Sequence, residues 1–161
     1  LSSMLVKLSL VITILLLFLS TSCTTLVTEG ELLHQWSVTA KLYENRNAFI
    51  LIEDEGYQGI DSSELRKISQ EVKLRDNKLY RVNTWDCEDK ARALVHGVKV
   101  RGEYKYSPAI GVAHYTTRKG VKHAINIAFD VSGNLYFFEP QLDKVVKLNK
   151  EEITSIRFLQ I

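Results

Sequence analysis

Apolar and polar positions alternate along this chain in three different rhythms. From Leu5 to Leu19 the residues are almost all apolar, broken by Lys7, Ser9 and Thr13. Further on, Ala48 to Ile52 is a short apolar run that ends in Glu53-Asp54-Glu55-Gly56, which reads as a strand and a turn. A helix is predicted from Asp61 or Ser62. Asp61 is an N-cap residue type, Glu64 stands three places on, and Leu65, Ile68 and Val72 share one face. Lys78 to Val82 reads as a short extended piece. A second helix begins at Asp86, where Asp89 can complete a capping box; Cys87, Ala91, Leu94, Val95 and Val98 then follow one helical face. Gly97 or Gly102 is expected to end it.

Beyond that helix the period changes to two. Ile110 to Thr117 is a candidate strand after Pro108. His123 to Val131 alternates, with Ile125, Ile127 and Phe129 on one face. Ser132-Gly133-Asn134 is a turn, Leu135 to Glu139 a strand closed by Pro140, and Val145 to Leu148 a further strand. Helices followed by a run of antiparallel strands is an α+β layout.

Composition narrows the class. A length of 161 residues suits one globular domain with room for a leader. With 45% hydrophobic and 25% charged residues the chain is expected to fold, and its 2 Pro and 8 Gly exclude collagen-like or linker-rich designs. A net charge of +2 offers no nucleic-acid footprint, so no nucleic-acid partner is expected. Two Cys build neither a disulfide framework nor a zinc site.

The apolar start reads as a signal peptide over residues 1–22: Lys7, an apolar stretch, then Ser20, Thr21 and Ser22. The rival is a transmembrane helix, which wants nearer 20 apolar residues. Met4 is an alternative start. Cys23 after small residues resembles the lipobox of bacterial lipoproteins, although Ser20 stands where an apolar residue is usual. That resemblance implies lipidation of Cys23, a membrane partner through the N-terminal lipid, and an exported, anchored protein of a bacterial cell envelope. Residues 23–30 would be a tether and 31–161 a single domain. A lipidated Cys23 would leave Cys87 without a partner thiol.

Cys87 is the residue with chemical promise, because a helix N-terminus favours its thiolate. A nucleophilic Cys needs a base within hydrogen-bond reach, and that base needs an orienting group. His123 begins one strand and Glu139 ends the next, so a hairpin could bring both to the same helix end. A three-residue loop gives the right parity but sets Glu139 opposite Ile127, so approach to His123 would need a shifted turn, a bulge or strong twist. Each residue also has an ordinary reading: Cys87 as a buried helix residue, His123 as a polar strand start, Glu139 as a solvated strand end. His114 is the rival base, and His34 and His96 look peripheral.

Trp85-Asp86-Cys87-Glu88-Asp89-Lys90-Ala91, His123-Ala124-Ile125-Asn126 and Glu139-Pro140-Gln141 together resemble the papain-like and transglutaminase-like cysteine peptidase group. The pattern is similar to the papain-like C-terminal domain of a fungal agglutinin and its phage and bacterial relatives, over about Tyr80 to Gln141. The resemblance implies a papain-like core with the Cys-bearing helix packed on an antiparallel sheet, and a triad of nucleophile Cys87, base His123 and orienter Glu139. It implies a thiol-protease hydrolase, or a transglutaminase-like acyl transferase, that attacks a peptide or isopeptide carbonyl of a peptide or protein substrate through a thioester. The sequence departs from the pattern at Arg81, where papain-like enzymes carry an oxyanion Gln; Asn83 is the nearest amide. Calcium dependence in some relatives makes Glu88, Asp89, Asn126 and Gln141 candidate oxygen ligands. The alternative is a non-catalytic binding lipoprotein that uses the same fold as a scaffold.

Overall fold

A computed structural model describes residues 26–42, 48–74, 86–101 and 104–161. The leader, Cys23, the extended piece at 78–82, Arg81 and Asn83 lie outside the described residues, as does Trp85. Among the described residues no helix is long and apolar enough to cross a membrane.

The fold is α+β and mostly sheet, as the strand-rich second half of the sequence implied. In chain order the elements are β1 (Leu26–Thr28), α1 (Glu29–Leu42), β2 (Phe49–Leu51), β3 (Gly56–Gln58), α2 (Ser62–Glu71) and α3 (Cys87–Lys99). There follow β4 (Ser107–Pro108), β5 (Ile110–Thr116), β6 (Lys122–Phe129), β7 (Leu135–Glu139), β8 (Lys144–Val146), α4 (Lys150–Thr154) and β9 (Phe158–Gln160). Six strands form the main sheet in the order β2-β9-β5-β6-β7-β8, and β1, β3 and β4 form a small second sheet. All pairings in the main sheet are antiparallel except β2 with β9.

The central strands β5 and β6 are apolar on both faces, as a covered sheet requires. One face carries Ile110, Ala128 and Phe138, which pack with Leu65 and Ile68 of α2 and Leu94 and Val98 of α3. The other carries Ala113, Ile125, Ile127 and Phe137, which pack with Trp36 of α1, Tyr57 of the small sheet and Ile153 of α4. Tyr57 ties the layers by polar bonds too. Its hydroxyl accepts from the Glu53 and Asp54 N–H groups (3.0 and 2.8 Å) and donates to the Ile161 carbonyl at 3.2 Å.

Several details differ from the sequence expectations. Leu26–Thr28, inside the stretch read as a tether, is a strand paired with β3, and Val27 is buried. Gly97 does not end α3. A Cβ there would sit 3.2 Å from Ile68 Cγ2, so the missing side chain lets α2 approach, and the helix runs on to Lys99. The β6–β7 loop holds five residues, because β6 ends at Phe129 and Phe129 pairs with Leu135. Asp130 Oδ1 closes that loop by accepting from Ser132 and Asn134 N–H at 2.8 and 2.9 Å, with Gly133 at φ +79°.

Candidate functional site

Asp86 starts α3. Its side chain accepts from the Glu88 and Asp89 N–H groups while the Asp89 carboxylate accepts from the Asp86 N–H, the reciprocal box expected from the sequence. This cap fixes Cys87 as the first helical residue and turns it toward the sheet, where it packs with Ala91, Val112 and Ala124.

The five-residue loop sets the hairpin register. Asn126 opposes Phe138, and one further step would set Glu139 opposite Ile125, two places closer to His123 than a three-residue loop would give. The diagonal gap is within reach of a long side chain. His123 Nε2 and Glu139 Oε2 are 2.6 Å apart. Glu139 is buried rather than solvated, and its other oxygen accepts from the Gln141 N–H at 3.1 Å. With Nε2 engaged, Nδ1 is left for the thiol of Cys87, whose titration the His123 side chain lowers. The three residues selected from the sequence are therefore brought together.

Electrostatics follow from these contacts. The His123 bond lowers the Cys87 thiol most, burial opposes it, and the Ala124 backbone N–H lowers it further, so the net direction is down. For His123, burial is the largest influence and lowers it, but hydrogen bonds and charge from Cys87 and Glu139 outweigh it, and the imidazole is pushed up to about 9. Tyr115 stacks edge-on against the His123 ring at 5.6 Å, and its hydroxyl is pushed up by burial first and by Glu139 second. His114, the rival base, instead packs edge-on against Phe158 and is lowered by burial.

Two of the candidate oxygen ligands, Glu88 and Asp89, have their carboxylates engaged. Glu88 pairs with Arg92 at 2.8 Å, Asp89 completes the cap, and Gln141 donates its backbone N–H to Glu139. Asn126 is buried and donates its amide to the Ala91 and Gly111 carbonyls at 2.8 and 3.1 Å, tying α3 to β5. Among the described residues no three His, Cys, Asp or Glu side chains cluster as a metal cage.

Cys87 and His123 open onto a cleft of about 570 Å³. Asp86 and Glu88 line one part of it; Lys122, Ser155 and Arg157 line another. Sequence reasoning passed over Arg157 and Ser155, which carry no motif and follow a helix of only five residues. Lys122 had a signal in its place beside His123.

No family model and no curated protein matches the chain. Solved structures of a fungal lectin do. A PSL1a–E64 complex matches with a TM-score of 0.64 at 18% identity, over 84% of this chain and 51% of that one. Polyporus squamosus lectin bound to the human-type influenza-binding epitope Neu5Acα2-6Galβ1-4GlcNAc matches with a TM-score of 0.63 at 16% identity, over 84% and 49%. The chain thus spans about half the length of each, and at these identities the likeness is one of fold.

This likeness corrects the family and function drawn from the motifs. The shared fold is part of a lectin chain, so membership of the papain-like or transglutaminase-like cysteine peptidase group does not stand, and neither does the thiol-protease hydrolase reading. The physical reason is that the three motifs report only a thiol and an ion pair meeting at one rim. They say nothing of what carbonyl, if any, would lie there, and a shared arrangement of side chains does not fix an activity.

Proposed function

We propose that the chain is a non-catalytic binding module, the alternative kept open by the sequence, and that its cleft takes a carbohydrate. The fold likeness to a lectin with a sialylated glycan bound carries this reading. The cleft, at about 570 Å³, has the size of a small-ligand site. Its lining suits a sugar, whose hydroxyls both donate and accept: Asp86 and Glu88 offer acceptors, Lys122 and Arg157 donors. Lys122 and Arg157 are exposed and would receive a sugar carboxylate, Arg157 in a bidentate fork. Cys87 and His123 line the same cleft, and Glu139 holds His123 from outside it. Export and anchoring through Cys23 would present the module at a cell surface, where glycans are met.

Calorimetric titration with Neu5Acα2-6Galβ1-4GlcNAc, and with Galβ1-4GlcNAc as the uncharged control, tests the proposal. Saturable binding is expected, with bound sugar slowing alkylation of Cys87 by iodoacetamide. Arg157→Ala should weaken the acidic glycan about tenfold, the loss of one charged hydrogen bond, and leave the neutral one unchanged. Flat titrations with both glycans and an unchanged alkylation rate would overturn it.

A further inference from the structure

The carboxylate on His123 is itself held from a distance. Glu139 is the last residue of β7, and the chain reverses at once through Pro140 to Asp143 into β8. Inside this turn the Leu142 N–H donates to the Glu139 carbonyl at 3.1 Å, and the Gln141 N–H donates to the Glu139 side chain. The turn depends on Asp143, which sits in the left-handed region at φ +51°, a conformation that costs a non-glycine residue energy unless neighbours fix it.

Those neighbours belong to α2. Ser69 is fully buried, and its hydroxyl lies between the Asp143 carboxylate, to which it donates, and the Pro140 carbonyl at 3.2 Å. One turn earlier on the same helix, Arg66 Nε donates to the Asp143 carbonyl at 3.0 Å. Asp143 is buried as well, so the carboxylate has been withdrawn from water and Ser69 is its hydrogen-bond donor there. Thus α2 holds the turn at Asp143, through Ser69 on the carboxylate and Arg66 on the carbonyl, while Glu139 stands just before the turn's first residue.

We propose that Ser69 and Arg66 are positioning residues that act through the 140–143 turn to hold Glu139 against His123. The inference is independent of what occupies the cleft. It assigns α2, which contributes no residue to the cleft lining, the task of fixing the His123–Glu139 ion pair.

The test is proton NMR of the full chain, reading the downfield Nε2–H resonance of His123, identified by its loss in His123→Gln. Ser69→Ala and Arg66→Met should each lose that resonance to exchange with water. Asn149→Ala removes the side-chain cap of α4, destabilises the protein away from the turn, and should leave the resonance in place. A folded Ser69→Ala with an unchanged resonance would overturn the proposal. Should Ser69→Ala fail to fold, the exposed Arg66→Met decides in the same way, an unchanged signal counting against. Loss of the signal in Asn149→Ala as well would also overturn it, because general loosening would then account for the effect.

Discussion

Cys87 is held by the His123 ring and the Ala124 backbone N–H, and both favour its anion. Removing His123 takes away the larger of these and leaves burial, which favours the neutral thiol. His123→Ala should therefore raise the Cys87 titration and slow alkylation by iodoacetamide at pH 7 about tenfold or more, since one pKa unit is a tenfold change in thiolate. A pH–rate profile measures the shift directly. Asn126→Ala should cost about 1–3 kcal/mol in chemical denaturation, because the amide that bridges the Ala91 and Gly111 carbonyls is lost. The meeting of Cys87, His123 and Glu139 was legible because a helix cap, a strand start and a strand end leave few ways to arrange them. The burial of Glu139 was not legible. It depends on the Asp143 turn and on Ser69, seventy-four positions from Asp143 in sequence. The motifs that could be read belong to the rim of one cleft and not to the architecture around it.

At the scale of elements, the parts written by local chemistry could be read. The Asp86 box, the α3 face, the alternation in β6 and the Ser132-Gly133-Asn134 reversal all appear where the sequence placed them, although the loop is two residues longer. Asp61 precedes α2 as expected, yet its side chain makes no capping bond. The strands β3, β4 and β9 passed unread, because two or three residues carry no period and their partners are remote. Helix α1 was missed for a related reason: among its described side chains Leu32 and Trp36 are the only large buried ones, too few for a stripe. Asp86→Ala should cost about 1 kcal/mol through loss of the N-cap, read as a lower thermal midpoint. Gly111→Ala should do far more. Its Cβ would fall 1.7 Å from the Gln160 carbonyl oxygen, so β5 and β9 would have to part. The expected cost is above about 3 kcal/mol, in the range of severe backbone lesions, with denaturation of the purified variant as the check.

For the whole molecule the paired shifts make a distinctive pH profile. His123 rises from 6.5 to about 9, so its contribution is full below 6.5 and is lost as pH climbs through 9. Cys87 is lowered from 9.0, so its contribution is full above 9.0 and is lost as pH falls through the folded value. At pH values above both 6.5 and the lowered thiol value, and up to about 9, the folded pair and the unfolded pair each carry one proton. Stability should be flat there. Cys87→Ala removes the compensating slope while Glu139 still holds His123 up, so its stability should fall with pH from 6.5 upward. Denaturant midpoints measured across that range distinguish the two profiles.

The position of β9 has a consequence for how the molecule comes into being. It lies between β2 and β5, joining segments that begin at Phe49 and Ile110, yet it starts only at Phe158. During synthesis β2 has no strand to pair with until residues 158–160 emerge, and β5 offers an open edge to solvent until then. The nascent sheet must wait, half-built, with Ile50 of β2 not yet packed on the core, and closing it spans more than a hundred residues of chain, a long-range step of the slow kind. Completion of the sheet is therefore a late event, and the interval before it is when the chain is most open to pairing with a neighbour instead of with itself.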